Sequence, residues 1–317
     1  MAEQRSSRKL TRVDVLVAVI ACLLLILLVS VLFARPREGS IRRLCAANLA
    51  QIGKAMLVYA GDNEGNLPRA GGPSTRWAGM PYSLAWKAPH HAMAFGSAMD
   101  GTGGQASISS SLYLLVKYYQ MPPRVFVCKG DLGTTDFKLS GRTDVPLNFG
   151  LADAWDLGPP DEAVKHCSYA YHMPYGMYPL DTSLDPNLAV AADRNPWIIS
   201  PAASPAVWAD FRPDIAYPGG AVGTSEMARW GNSVTHQLDG QNVLFLDGRV
   251  TFAKRAYCGV DKDNIYTIST NMFGGRGDPY GIGMTPPGPF CMPTNRNDSV
   301  LVHDPDTIST STTPKRR

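Results

Sequence analysis

Hydrophobic residues are concentrated near the start of the chain, in a run from Val13 to Phe33 in which Asp14 is the single charged residue. A helix over this run would extend about 30 Å, the thickness of the hydrocarbon core of a bilayer. The pattern predicts a basic N-terminal segment at 1–12 and a transmembrane helix over 13–34. A cleavable signal peptide is the alternative, but the run is longer than the roughly 7–15 apolar residues of a signal core.

A second apolar pattern follows, with the spacing of three and four residues that is typical of one face of a helix. It predicts an amphipathic helical stalk over 35–60, and a globular domain over 67–302 after the turn residues that begin at Gly61. Asn48 falls within the apolar stripe, where its amide would need hydrogen-bonding partners. The stripe consists of Ile41, Leu44, Cys45, Leu49, Ile52, Met56 and Tyr59.

Short runs of β-branched and aromatic residues alternate with turn residues through the rest of the chain, which also holds most of its 30 glycines and 25 prolines. The fold class we expect is therefore α+β, with a loop-rich globular domain and an antiparallel sheet. Serines 109–111 before an apolar face predict a further helix, and the polar segment 303–317 predicts a disordered tail. The predicted strands are Arg124–Cys128, Ser168–Tyr171, Leu188–Ala192, Val243–Leu246 and Val250–Phe252.

Composition and motifs exclude several functions. A net charge of +3 with 18% charged residues gives no support for nucleic-acid binding. The sequence has no Gly-x-Ser-x-Gly, no His-Glu-x-x-His and no P-loop motif, so we expect that the protein is not an enzyme.

Four cysteines beyond the predicted stalk are disulfide candidates in an extracytoplasmic domain. Four cysteines allow three pairings, and the sequence does not choose among them. Buried single thiols are the alternative. The candidates are Cys128, Cys167, Cys258 and Cys291.

The N-terminal pattern of a charged start, an apolar helix with one early acid and an amphipathic continuation resembles that of type IV pilins and type II secretion pseudopilins. Lys9, Leu10 and Asp14 stand where the processing motif of that family has Gly, Phe and Glu. The resemblance implies cleavage before Leu10 and pairing of Asp14 with the N-terminal amine of a neighbouring subunit. All three residues differ from the family pattern, and Asp14 at a membrane interface is the alternative.

Two further segments resemble a group of bacterial pilin-like proteins of unknown function. They are Cys45–Met56 and the stretch that holds His236 and Asp247-Gly248, similar to a C-terminal His and Asp-Gly signature. The resemblance implies a signature hairpin at Asp247-Gly248, and this pair suits a two-residue type I′ turn. His236 is expected to be a hydrogen-bonding support rather than a catalyst.

A metal ligand set is suggested at one place. Asp261, Asp263 and Asn264 put oxygen ligands close together, calcium prefers such ligands, and some pseudopilins hold calcium in a loop near the C-terminal end. A solvated acidic turn is the alternative, and we otherwise expect no cofactor.

Together these patterns predict a membrane-anchored, pilin-like or pseudopilin-like structural subunit of a type II secretion or type IV pilus-like assembly. The expected location is the bacterial inner membrane, single-pass, with most of the chain extracytoplasmic, although basic residues on both sides of the run leave the orientation open. Membrane lipid and other pilin-like subunits are the expected partners. The alternative is a permanently anchored module that binds a ligand such as a glycan, with tryptophans including Trp77, Trp86 and Trp230 as stacking surfaces.

Overall fold

The structure is a computed structural model, and it divides into two compact units, Met1–Ile41 and Arg42–Arg317. The predicted processing residues Lys9 and Leu10 and the disulfide candidate Cys291 lie outside the described residues. The structure describes residues 11–72, 74–77, 85–216, 221–268 and 292–306, with only the backbone of 28–37.

One helix, α1 (Arg12–Asp62), covers both the apolar run and the predicted stalk. It begins with a capping box, in which Thr11 N and Oγ1 donate to Asp14 Oδ2 at 2.9 and 2.7 Å and Asp14 N donates back to Thr11 Oγ1 at 3.3 Å. These hydrogen bonds, led by that from the Thr11 backbone, lower the pKa of Asp14.

Among the residues that the structure describes, no helix combines the length and the apolar character needed to cross a membrane. The predictions of a transmembrane helix over 13–34 and of a single-pass inner-membrane protein are therefore wrong. The helix that contains the apolar run continues to Asp62, and its later turns carry charges such as Arg43 and Lys54.

The remaining helices are short except for α3 (Ile108–Tyr119), whose N-cap Ser107 accepts a hydrogen bond from Ser110 N at 3.0 Å. The helix predicted at serines 109–111 is thus present and begins a few residues earlier. The α-helices after α1 are α2 (His91–Phe95), α3 (Ile108–Tyr119), α4 (Pro160–Ala163) and α5 (Ser225–Arg229). The 3-10 helices are Pro123–Phe126, Val164–His166, Trp208–Asp210, Val234–His236 and Val260–Lys262.

An antiparallel sheet of five strands forms the centre of the second unit, in the order β6-β5-β4-β3-β7. This confirms the prediction of an α+β fold with an antiparallel sheet. The strands are β3 (Tyr169–His172), β4 (Ala189–Asp193), β5 (Gln241–Phe245), β6 (Val250–Ala253) and β7 (Leu301–Val302), and a separate parallel pair consists of β1 (Arg76–Trp77) and β2 (Gln105–Ala106).

The strand predicted at Arg124–Cys128 is instead the 3-10 helix Pro123–Phe126. Pro122 and Pro123 explain the difference, because proline fixes φ near the helical value and lacks the N–H that a sheet would need. Val125 and Phe126 are still buried, so these hydrophobic residues belong to the core although their backbone is helical rather than extended.

The second half of α1 packs on the central sheet. A Cβ at Gly53 would come within 2.6 Å of Leu244 Cδ1 on β5, so glycine allows the close approach. Asn48, the polar residue within the stripe, donates from Nδ2 to Val127 O at 3.0 Å. Leu44 from the predicted stripe is half exposed, and the buried face consists of Cys45, Leu49, Ile52, Met56 and Ala60.

The first residues of the predicted C-terminal tail belong to the fold. His303 is buried, and Asp304 accepts hydrogen bonds from Ile108 N at 2.9 Å and Ser109 N at 2.8 Å in the first turn of α3. A carboxylate is favourable at this position because helix N-termini carry unpaired N–H groups and a positive dipole end. Residues 307–317 of the tail lie outside the described residues.

Candidate functional site

His236 lies at the end of the 3-10 helix Val234–His236 and is fully buried. Its Nε2 atom is 3.1 Å from Asn242 Nδ2 and 3.4 Å from Asp193 Oδ2. The residue thus makes hydrogen-bonding contacts inside the core. We call the group formed by Asp193, His236 and Asn242 the polar cluster.

Asp193 ends β4, and Asn242 lies beside it on β5. Asn242 donates to Asp193 Oδ2 from its backbone N at 2.6 Å and from Nδ2 at 3.3 Å. Burial raises the pKa of Asp193 to about 6, against the opposing effect of His236 and these hydrogen bonds. Asp193 Oδ1 is buried and has no hydrogen-bond donor among the described residues, which is costly for a carboxylate.

A disulfide between Cys45 of α1 and Cys128 lies next to the polar cluster. The two Cα atoms are 5.2 Å apart, within the usual range for disulfides. Cys128 Sγ is 4.0 Å from His236 Nε2. Metal ions are held by His, Cys, Asp and Glu side chains. Within the part of the chain that the structure describes, one group of three such residues has its ligand atoms close enough together to hold an ion, and it consists of Cys45, Cys128 and His236.

The other candidate cysteines form no pair in the described residues. Cys167 and Cys258 are free thiols, and burial raises the pKa of each to about 12. Both are therefore protonated and unreactive at neutral pH. Cys128 was a candidate, whereas its partner Cys45 was not, although its place on the buried stripe of α1 was a usable signal.

The Asp-Gly part of the signature lies apart from the buried His236 environment, because Asp247 is exposed at the hairpin between β5 and β6. The turn has three loop residues rather than the predicted two. Gly248 N donates to Phe245 O at 2.9 Å and Phe245 N donates to Arg249 O at 3.0 Å. Gly248 alone has a positive φ, of 85°, whereas a type I′ turn would require one at Asp247 as well.

The side chains predicted to bind calcium lie around the 3-10 helix Val260–Lys262. Asp261 is exposed, and Asp263 and Asn264 are buried. Asp263 Oδ2 accepts from Ser299 N at 2.8 Å and Asn264 Oδ1 accepts from Tyr266 N at 3.1 Å. Two of the three predicted ligand oxygens therefore already accept backbone hydrogen bonds.

The polar tyrosine cleft is a second candidate site in the same unit, with a volume of about 500 Å³. Tyr118 is 57% exposed, and Tyr119 donates from its hydroxyl to Asp62 Oδ2 at 2.8 Å. Trp77 and Trp86, predicted as stacking surfaces, are buried instead. The cleft is lined by Tyr59, Asp62, Asn63, Arg69, Gly71, His91, Leu114, Tyr118 and Tyr119.

Comparisons of this chain with family models, with curated proteins and with solved structures find no match.

Proposed function

We propose that this chain is a pilin-like structural subunit that self-assembles through the first part of α1. The observation that carries the proposal is the exposure of a continuous apolar surface. Every side chain from Val13 to Leu27 is exposed, including Leu16 at 61% and Leu23 at 61%. We call this segment the apolar helix.

The apolar helix needs cover on more than one side. A helix that is hydrophobic around its whole circumference is stable when it is buried on all faces, whereas an amphipathic helix needs only one covered face. Copies of the same helix supply such cover in a bundle of several chains. The resemblance of this segment to the pilin N-terminus supports the same arrangement.

Asp14 adds a requirement for charge pairing. Its lowered pKa favours the ionised form, and an ionised carboxylate inside a bundle is costly unless a cation pairs with it. The chain has Arg5, Arg8 and Lys9 just before the helix. We infer that a basic group of the N-terminal segment of a neighbouring copy pairs with Asp14.

The substitution Leu23→Lys is expected to abolish self-association, because it places a charge in the centre of the proposed helix bundle. Asp14→Ala is expected to weaken association, because it removes the carboxylate that pairs with the neighbouring copy. Sedimentation velocity of the full chain measures the assembly state, and negative-stain electron microscopy shows whether fibres form.

Leu147→Lys is the matched control, because Leu147 is a fully exposed leucine in the other unit and is expected to leave assembly unchanged. A wild-type chain that stays monomeric at high concentration contradicts the proposal. So does a Leu23→Lys chain that assembles as the wild type does.

The function proposed requires no cofactor. A calcium ion at Asp261, Asp263 and Asn264 would have to share its oxygens with the backbone donors of Ser299 and Tyr266. The calcium prediction therefore stays a prediction, and isothermal titration of the full chain with calcium is its direct test.

A binding module is the second candidate function, and the polar tyrosine cleft favours it. Arg69 lines the cleft and has no ion pair or side-chain hydrogen bond among the described residues. Burial lowers the pKa of His91, so this imidazole is neutral at pH 7 and Arg69 is the cationic side chain. Tyrosine faces suit stacking on sugar rings, and an arginine suits a carboxylate. An acidic saccharide fits this combination.

Tyr118→Ala and Arg69→Gln are each expected to weaken binding of a uronic-acid oligosaccharide by about 10-fold or more, the scale of one lost stacking or charged hydrogen-bonding group. Arg69→Gln should change binding of a neutral oligosaccharide much less, because it removes the charge and keeps a hydrogen-bonding side chain. Isothermal titration of the full chain measures both affinities. Trp230→Ala, which removes an exposed aromatic outside the cleft, is the control. Equal binding by all of these chains would refute the cleft as the site.

A further inference from the structure

We propose that the reduced form of this chain holds a zinc ion between Cys45, Cys128 and His236, with Asp193 as the fourth ligand. The structure shows the oxidised form, in which a disulfide joins the two sulfur atoms. The inference is independent of the assembly proposed above, because it concerns a buried site in the unit Arg42–Arg317.

The distances are close to those between the ligands of a tetrahedral zinc ion. Zinc binds sulfur at about 2.3 Å and nitrogen or oxygen at about 2.0–2.2 Å, so neighbouring ligand atoms are about 3.3–3.8 Å apart. His236 Nε2 is 3.4 Å from Asp193 Oδ2 and 4.0 Å from Cys128 Sγ. The ligand atoms of Cys45, Cys128 and His236 all lie within 4.8 Å of one another.

The backbone around the two cysteines is held by bonds other than the disulfide. Asn48, one turn after Cys45 on α1, donates to Val127 O at 3.0 Å, and Cys128 N donates to Ser168 Oγ at 2.9 Å. Tyr169 donates from its hydroxyl to Cys45 O at 3.3 Å. We therefore expect the two sulfur atoms to remain neighbours when the bond between them is broken.

The polar cluster supplies the surroundings that a metal ligand needs. Asn242 donates to Asp193 Oδ2 from its backbone N and from Nδ2, so it orients the carboxylate. Its contact with His236 Nε2 would be replaced by the bond from that nitrogen to the ion. Asp193 Oδ1 is fully buried without a donor in the described part of the chain. In the oxidised form, no hydrogen bond from the described residues compensates for the burial of this oxygen. A bound cation would stabilise the Asp193 carboxylate.

The conversion is a thiol-disulfide exchange followed by metal binding. A small dithiol breaks the Cys45–Cys128 bond in two exchange steps and is itself oxidised to a disulfide, which leaves two protein thiols. Zinc then binds both sulfur atoms as thiolates and releases two protons. Oxidation removes both thiolate ligands, so the ion binds only in the reduced state.

Cobalt titration of the full chain tests the proposal, because tetrahedral cobalt with thiolate ligands gives characteristic charge-transfer and d–d absorption. The chain is reduced with a dithiol, freed of reductant under anaerobic conditions and checked for folding by circular dichroism. One equivalent of cobalt is expected to bind per reduced chain, with displacement by zinc and without binding to the oxidised chain. His236→Gln is expected to lower the affinity by about 10-fold or more.

Cys167→Ser is the matched control, because Cys167 is a buried free thiol that lies outside the proposed site and should leave the cobalt spectrum unchanged. The comparison of cobalt binding by the oxidised and the reduced wild-type chain uses one sequence, so it does not depend on whether a variant folds. A folded reduced chain that binds no cobalt overturns the proposal. A reduced chain that unfolds and does not refold with metal also overturns it.

Discussion

Replacing Asp131 by alanine is expected to lower the free energy of unfolding by about 3–5 kcal/mol, because the change leaves the Arg194 guanidinium buried without its counter-ion. Arg194 is the largest fully buried side chain of the described residues, and its Nε donates to Asp131 Oδ2 at 2.7 Å. Both side chains are at most 1% exposed. Water cannot replace the lost partner.

The neighbours of this ion pair cannot compensate for the loss. Arg194 Nη2 donates to Val164 O at 2.5 Å and approaches Thr134 Oγ1 at 3.4 Å, but these groups carry no charge. His303 lies 3.4 Å from Nη1, and burial together with Arg194 lowers the pKa of His303 to about 3. The histidine is therefore neutral at pH 7.

Urea unfolding of the full chain at pH 7 measures the effect. Asp247→Ala is the matched control, because it removes an exposed ion pair with Arg249 and is expected to cost at most about 1 kcal/mol. The double variant Asp131→Leu with Arg194→Met should lose less stability than Asp131→Ala, because apolar groups can replace both charges. Equal losses for Asp131→Ala and Asp247→Ala would show that the buried pair does not matter.

Much of the fold could be predicted from local patterns, because the signals for strands and helices come from residues that are neighbours in the sequence. The strands at Ser168–Tyr171 and Leu188–Ala192 and the hairpin near Asp247 have alternating or β-branched residues, and β3, β4, β5 and β6 are found there with shifts of one or two residues. The helix α3 was likewise visible as serines before an apolar face. Where backbone chemistry overrides hydrophobic pattern, as at Pro123, the prediction of a strand was wrong.

The candidate site was predicted only in part, because it depends on contacts between distant segments. His236 was found through its place in a family-like signature, but Asp193 and Asn242 are 49 residues apart and meet only through the pairing of β4 with β5. The disulfide joins residues 83 positions apart, and sequence alone left three pairings among cysteines that did not include Cys45. The membrane prediction was made from the apolar run, whereas no helix among the described residues is long and apolar enough to cross a membrane, and the helix that contains the run continues through charged residues to Asp62.

The second large effect concerns pH and the buried carboxyl group of Asp156. Its Oδ2 accepts a short hydrogen bond from Ser107 Oγ, and its Oδ1 accepts from Leu157 N at 2.7 Å. Burial raises the pKa of Asp156 to about 7 from 3.8, and the nearby carboxylate of Asp304 adds to the increase, against these hydrogen bonds. Burial, and to a lesser extent the charge of Asp156, raises the pKa of Tyr113.

The sign follows from comparing the folded and unfolded pKa values. The folded pKa is higher, so the protonated carboxyl is favoured in the fold and its stabilisation is fully present below about pH 4. That stabilisation is lost as pH rises towards about 7. A difference of roughly three pKa units corresponds to about 4 kcal/mol. Asp156→Asn, which cannot ionise, should therefore become more stable relative to the wild type by this amount between pH 4 and pH 8.

The difference between the two chains isolates Asp156 from other buried groups that titrate in the same range. Burial lowers the pKa of His172 to about 4 and that of His303 to about 3, so both histidines oppose folding as pH falls, but they are present in both chains. Urea unfolding at several pH values gives the difference directly, and Asp261→Asn, at an exposed carboxylate, is the control expected to show no such trend. If Asp156→Asn and the wild type differ by the same free energy at pH 4.5 and pH 8, the buried carboxyl group does not determine the pH dependence of stability.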